Sequence, residues 1–323
     1  MNAWVCRRYG GPDVLERVRL PRPVPAADEV LIRIEATSVS SADSRVRALR
    51  LPRGFGPLGR LFLGFTGPRT PVLGTEFAGV IESVGTAVTS FRPGDAMFGF
   101  PGGKMGCHAE YRTMPATGAL APKPASLTFA EAAGLCFGGT TALHFLRKAG
   151  LKRGESILVL GSSGAVGVAL VQLARHLGAR VTGVTSTVNV ELVRSLGAAR
   201  VLDYTRKDFR RDETRYDVIA DTVGSSHFAE CLPLLNEHGR YLGIAADLLG
   251  LLARPKGNRR SIAGPAEERP EDVRELARLA EAGIVRPVID STFAFEHLRE
   301  AHARVDTGRK RGSVIVTLAP GSL

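Results

Sequence analysis

The chain has 323 residues, 44% apolar and 23% charged, with a formal net charge of +11. That balance excludes disordered and fibrous classes and leaves room for two domains, each with its own core. The basic residues are scattered among acids without an aromatic-interleaved stripe, so the charge reads as general surface charge and no nucleic-acid partner is expected.

Residues 3–7 and 16–19 read as short strands around the turn Tyr9-Gly10-Gly11-Pro12-Asp13. Prolines at 21, 23 and 25 enforce an extended connection into a strand over 29–36. Further strands over 79–85, 96–100 and 110–114 continue a β-rich, barrel-like region. Residues 50–71 mix Gly, Pro and Arg with Phe55, Leu58, Leu61, Phe62, Leu63 and Phe65. The spacing predicts a long loop there, either a lid or wall of a substrate cleft or a flap packed on the body or on another subunit.

From Pro124 the pattern changes: helices are expected over 126–133, capped by Ser126, and over 139–148. Ile157 to Leu160 then reads as a strand buried on both faces, and Gly161, Gly164 and Gly167 lead directly into an Ala-rich helix. In that setting Gly161 turns the chain, Gly164 admits a pyrophosphate, and Gly167 lets helix and strand approach. Ser162, Ser163, Ala165 and Val166 complete the turn and the helix N-terminus, whose N–H groups suit an anion. A dinucleotide site is the reading.

Strands over 180–185, 200–202, 217–221 and 239–244 follow, with helices over 190–196 and 225–235. This alternation predicts a doubly wound parallel sheet. A basic surface excursion over 253–270 encloses a short strand at 260–263. A helix at 271–282, a strand at 285–289, a helix at 296–306 and a strand at 313–318 end the chain, with the last strands expected to return to the first domain. The expected organisation is 1–123 and 283–323 in one domain and 124–282 in the other.

The second strand of the alternating block ends in Thr185-Ser186-Thr187-Val188-Asn189, without the carboxylate that usually binds the adenosine ribose and repels a 2′-phosphate. Hydroxyls of Ser186 and Thr187 suit phosphate oxygens, which favours NADPH; they also suit the cap of the next helix. No Arg or Lys lies within 186–190, so the phosphate's charge partner stays unassigned.

No charged-then-apolar leader opens the chain and no window approaches about 18 uninterrupted apolar residues, so a cytoplasmic protein without a membrane span is expected. Cys6, Cys107, Cys136 and Cys231 lie far apart and read as buried thiols.

Several runs in order carry a family resemblance: Gly74-Thr75-Glu76-Phe77-Ala78-Gly79, Arg92-Pro93-Gly94-Asp95, Phe137-Gly138-Gly139-Thr140-Thr141, Gly161 to Gly167, Asp203-Tyr204-Thr205, Asp217 to Gly224 and Gly312-Ser313-Val314-Ile315-Val316. The chain resembles the medium-chain dehydrogenase/reductase superfamily, in its zinc-independent quinone oxidoreductase and alkenal (enone) reductase branch. The resemblance implies an α/β fold: a Rossmann sheet inserted in a GroES-like β-rich catalytic domain, with NADPH and substrate bound between the two. It also implies that Thr141 lies near the nicotinamide and Tyr204 near the adenosine phosphate. Val223, Gly224, Gly243 and Ile244 would lie along the nicotinamide half. A homodimer is the expected assembly.

Where zinc-dependent cousins place Cys, His and Cys ligands, this chain has Ser40, Thr75 and Phe137, so no metal is expected; Cys107-His108 reads as an ordinary loop pair. Ser40 is the first choice for a polar group near the substrate oxygen, Thr75 is a further candidate, and Asp43 either orients Ser40 or its loop or serves a structural turn. Without zinc, hydride transfer suits an electron-poor quinone or enone. Two further readings stay open: a reductase of a polyketide-like biosynthetic intermediate, and a non-catalytic NADPH sensor or structural protein.

Overall fold

A computed structural model of the chain describes residues 1–51, 54 and 56–318. They form two compact units. Among the described residues, one unit gathers 1–51, 56–137 and 268–318; the other is built on Gly138–Glu267.

In the first unit β1 (Asn2–Cys6) and β2 (Leu15–Arg19) form an antiparallel hairpin. The long strand β3 (Glu29–Val39) is followed by helices α1 (Ser41–Ala48) and α2 (Gly56–Leu63). Strands β4 (Phe77–Val84), β5 (Ala96–Gly99), β6 (Tyr111–Pro115) and β7 (Leu120–Pro122) precede the short helix α3 (Phe129–Ala132). Helix α4 (Cys136–Ala149) then leads into the second unit.

That unit runs β8 (Ser156–Leu160), α5 (Ala165–His176), β9 (Arg180–Thr185), α6 (Val190–Ser195) and β10 (Arg200–Asp203). It continues through β11 (Tyr216–Asp221), α7 (Phe228–Cys231), β12 (Leu235–Gly243), α8 (Leu248–Leu251) and β13 (Arg260–Ala263). Helix α9 (Pro270–Glu281), β14 (Ile289–Ala294), α10 (Leu298–Asp306) and β15 (Ser313–Thr317) return to the first unit.

Strand β3 organises the first unit because its eleven residues serve three partners. One edge is divided between β6, opposite Glu29–Arg33, and β15, opposite Ala36–Val39, while the other edge carries β4. Register shifts at Leu31/Ile32 and Ile34/Ala36 bend the strand so that it can do so. The sheet order is β14-β15-β3-β4-β5-β7, with β14 and β15 parallel. Ile32, Phe77, Ile81, Met97, Leu298, Val314 and Val316 are fully or almost fully buried in its core.

The second unit is a parallel sheet in the order β10-β9-β8-β11-β12-β13. The order reverses between β8 and β11, the point at which such sheets open a crevice at the strand carboxyl ends. Every residue of β8 is buried, which is why its apolar run does not alternate.

Several boundaries differ from the sequence reading, each for a local reason. The helix expected from Ser126 starts at Phe129, because Thr128 and Glu131 form a reciprocal capping box. Residues 285–289 are not a strand: Ile284 and Val285 N–H groups close the end of α9 on Leu279 O, Pro287 offers no N–H, and the strand starts at Ile289. The helix expected over 225–235 is confined to Phe228–Cys231, with Pro233 in the turn after it, and β12 starts earlier, at Leu235. In the stretch read as a loop over 50–71, residues 52, 53 and 55 lie outside the described residues, whereas Gly56–Leu63 is helical and leaves Leu61, Phe62 and Phe65 exposed. Helix α1 and strand β7 had no counterpart in the sequence reading.

Candidate active site

Ser40, Asp43 and Thr75 come together in the first unit, and what joins them is a helix cap. Ser40 is the N-cap of α1, with extended backbone (φ −91°, ψ 169°), and its Oγ accepts the Asp43 N–H at 3.2 Å. Asp43 Oδ2 in return accepts the Ser40 N–H at 2.7 Å and the Ser40 hydroxyl at 2.6 Å. Its other oxygen accepts the Gly74 N–H at 2.9 Å, tying α1 to the segment before β4. Thr75 Oγ1 donates to Ser40 Oγ at 3.3 Å. The result is a directed chain, Thr75 to Ser40 to Asp43, in which all three side chains are buried.

Glu76, the next residue, is 1% exposed and was given no role in the sequence reading. Ser38 Oγ donates to its Oε1 and the Phe137 N–H to its Oε2. Burial pushes this carboxyl up to about 7 in spite of those two donors, and the charge of Asp43 adds to the effect. The signal available was an acid set between Thr75 and the apolar Phe77-Ala78.

Cys107 and His108 lie in the loop between β5 and β6, as read, and are fully buried there. Burial raises the Cys107 thiol to about 12 and lowers His108, whose Nε2 hydrogen-bonds to Ser38 O at 3.0 Å. All four cysteines are buried and none is in a disulfide. Among the described residues no group of three or more His, Cys, Asp or Glu is arranged to hold a metal ion. Ser40, Thr75 and Phe137 together offer two hydroxyls and a phenyl ring, and the Ser40 hydroxyl is already committed to Asp43. That donor set does not fit zinc.

In the second unit, parallel register aligns the strand ends. Thr185 stands opposite Asp203, Val184 opposite Leu160, Leu160 opposite Asp221, and Asp221 opposite Gly243. Every residue assigned to the cofactor from sequence except Thr141, which lies in α4, therefore falls at or just beyond the carboxyl ends of β8 to β12.

Gly161 turns the chain at φ +76°, and Gly164 is the N-cap of α5. A Cβ on Gly167 would overlap the Gly161 carbonyl oxygen and lie 2.7 Å from Ser162 Cα, so helix and strand meet backbone to backbone. At Gly164 a Cβ would meet only the Gly161 oxygen, at 3.6 Å, leaving the N-terminus of α5 open to an anion. Ser162 turns inward and donates to Val184 O at 3.0 Å. Ser163 Oγ accepts from Thr185 Oγ1 at 2.9 Å and from Asn189 Nδ2 at 3.3 Å, and the same amide reaches Ser186 Oγ at 3.2 Å. Hydroxyls and an amide thus line one rim, with Tyr204 exposed beside it and its N–H donating to Thr185 O at 3.1 Å.

On the other side of β8, Asp221 shapes the segment carrying Val223 and Gly224. Its Oδ1 accepts their N–H groups at 2.9 and 2.8 Å, and its Oδ2 accepts Ser226 N–H at 2.8 Å. Ile244 N–H donates to the Asp221 carbonyl at 3.1 Å, so Gly243 and Ile244 are held at the same strand end. Asp221 is 1% exposed and was missed as a positioning residue. The open helix N-terminus, the close-packed glycine turn and the hydroxyl rim together fit a nicotinamide dinucleotide.

Residues 26–125 match the family model described as alcohol dehydrogenase GroES-like domain, and 196–316 match that described as zinc-binding dehydrogenase. A 2-methylene-furan-3-one reductase of Solanum lycopersicum is 33% identical over 99% of this chain and 80% of its own length. The chain belongs to the medium-chain dehydrogenase/reductase superfamily, in its quinone and enone reductase branch. Within this superfamily, an NADPH-dependent alkenal/one oxidoreductase, chloroplastic, of Arabidopsis thaliana is 31% identical over 99% of this chain and 80% of its own. The solved structure of the quinone oxidoreductase from Coxiella burnetii superposes with a TM-score of 0.86 at 26% identity, covering 99% of both chains. The medium-chain reductase fold explains the pairing of a GroES-like β-rich unit with a parallel dinucleotide sheet.

Proposed function

We propose that this protein is an NADPH-dependent, zinc-free reductase of quinones and α,β-unsaturated carbonyl compounds. The observation that carries the reading is the hydroxyl pair Thr75–Ser40, held by Asp43, at two of the positions where zinc-dependent relatives hold metal ligands. A hydroxyl chain donates hydrogen bonds but is a poor Lewis acid, so it suits an acceptor that is already electron-poor. The names of the relatives, an alkenal/one oxidoreductase and a quinone oxidoreductase among them, support the same acceptor class.

NADPH supplies the hydride when bound. Gly161, Gly164 and Gly167 with Ser162, Ser163, Ala165 and Val166 would hold its pyrophosphate at the start of α5. Ser186, Thr187 and Tyr204 would hold the adenosine end. Thr141, Val223, Gly224, Gly243 and Ile244 would flank the nicotinamide. Asp43 fixes the Ser40 hydroxyl, and Ser40 Oγ accepts from Thr75, whose 3.3 Å bond is the longest in the chain. The Thr75 hydroxyl is therefore the least committed donor and the one assigned to hydrogen-bond the oxygen that gains negative charge, with the single proton that completes the reduction drawn from water. The exposed Leu61, Phe62 and Phe65 on and after α2 offer apolar surface for the acceptor.

The reading includes a homodimer in the cytoplasm; no helix among the described residues is long and apolar enough to cross a membrane. The test is NADPH oxidation with a panel of small quinones and enones. Turnover with at least one class, unaffected by chelators, is expected. Tight NADPH binding with no turnover on any acceptor would instead favour a sensor.

A further inference from the structure

The structure assigns the counter-charge of the cofactor's 2′-phosphate to Arg206, an inference that rests on the NADPH reading and goes one residue beyond it. The end of β9 supplies hydroxyls but no cation between 186 and 190, and a phosphate dianion held by hydroxyls alone is poorly neutralised. The missing charge is found in the turn after the neighbouring strand. β10 runs parallel to β9 with Asp203 opposite Thr185, and the Tyr204 N–H to Thr185 O bond draws the turn after β10 against the end of β9.

Asp203 stands at that junction and looks at first like a ribose-binding carboxylate that would repel a 2′-phosphate. Its oxygens are already occupied within the chain. Oδ2 accepts Thr187 Oγ1 at 2.5 Å and faces Arg206 Nε at 3.4 Å. Oδ1 accepts both the N–H and the hydroxyl of Thr205, at 2.9 and 2.7 Å. Asp203 is thus a positioning residue for Thr187 and Arg206, which share one of its oxygens.

The way Arg206 is held makes it a phosphate ligand in waiting. Its Nε is ion-paired with Asp203 at 3.4 Å, its side chain is 78% exposed, and neither Nη atom has a partner among the described residues. A guanidinium whose Nε faces a carboxylate while both Nη groups stay open presents the planar fork that matches two phosphate oxygens. Lys207 lies next to it and is also exposed, but no hydrogen bond or ion pair among the described residues ties its ammonium to the cluster. A surface ion pair of this kind contributes little to stability, so Arg206 is free to turn its charge to a ligand.

The experiment is calorimetric titration of the full-length protein with adenosine 2′,5′-bisphosphate and, separately, with 5′-AMP. Wild-type protein should bind the bisphosphate more tightly. Arg206→Ala should weaken the bisphosphate by about tenfold or more and leave 5′-AMP unchanged, and Arg206→Lys should recover part of the loss. Lys207→Ala should change the bisphosphate by less than about threefold. A wild-type preference that survives in Arg206→Ala, or that disappears in Lys207→Ala instead, overturns the assignment and leaves the NADPH reading standing. A wild-type protein with no preference overturns both.

Discussion

Asp43 Oδ2 accepts both the backbone N–H and the hydroxyl of Ser40, closing the first turn of α1 on itself. Ser40 is therefore an N-cap as well as the residue that replaces a metal ligand, and the two partners should not cost the same when removed. Ser40→Ala loses the cap, worth about 1 kcal/mol. Asp43→Ala leaves the Ser40 and Gly74 N–H groups buried without an acceptor, each at about 1–3 kcal/mol, so it should cost at least twice as much. Urea unfolding of the two variants checks this order. Equal losses would show that Asp43 does not hold the loop before β4.

Thr75 offers a cleaner separation of fold from chemistry. Its hydroxyl makes one long bond, to Ser40 Oγ, so Thr75→Val should change stability by less than about 1.5 kcal/mol. If that hydroxyl meets the developing negative charge, kcat should fall by about 100-fold, with a smaller change in KM. A full complement of activity in a stable Thr75→Val protein would remove Thr75 from the reaction.

Glu76 gives the protein a pH dependence with a definite sign. Burial raises its folded-state value from 4.5 to about 7, so between these values the folded chain binds more protons than the unfolded chain. Its contribution is complete below about pH 4.5, declines as pH rises, and is gone above about pH 7. At about 1.4 kcal/mol per unit, the size is roughly 3 kcal/mol. Glu76→Gln should flatten this decline. The amide oxygen can accept the Phe137 N–H, and the amide N–H can donate to Ser38 Oγ, as a protonated Glu76 would. Urea midpoints from pH 5 to 8 for both proteins test it; parallel curves would mean that Glu76 does not titrate in this range.

Much of the second unit was legible because its code is local. The apolar run Ile157 to Leu160, the glycine spacing and the following Ala-rich helix are contiguous in sequence, and β8 and α5 follow from them. The first unit was harder to read because its partners are distant. Nothing local reveals that Ile284 and Val285 serve α9 rather than β14, and α1 is hard to read because the short Ser40–Asp43 signal suits a turn or a site as well as a capping box. The same limit applies to the site. Asp203 lies 16 residues beyond Thr187 and reaches it only through the pairing of β10 with β9, so its neighbourhood to the end of β9 is not visible in the local sequence.

Gly164 and Gly167 make opposite demands on an added methyl group, and this separates cofactor binding from folding within a single turn. At Gly167 the Cβ would overlap the Gly161 carbonyl oxygen, and backbone must move to admit it. Gly167→Ala should therefore lose about 2 kcal/mol or more of stability along with dinucleotide affinity. At Gly164 the backbone is extended (φ −79°, ψ 170°), open to any residue, and the only neighbour within 4 Å is the Gly161 oxygen at 3.6 Å. Gly164→Ala should cost less than about 1 kcal/mol, the difference between Gly and Ala at an N-cap. The methyl group would nevertheless stand over the free N–H groups of α5, where the pyrophosphate must approach, so NADPH affinity should fall about tenfold or more in a protein that is otherwise intact. Thermal unfolding and fluorescence titration with NADPH measure the two effects side by side. Wild-type affinity in a stable Gly164→Ala protein would mean that the anion does not rest on this helix.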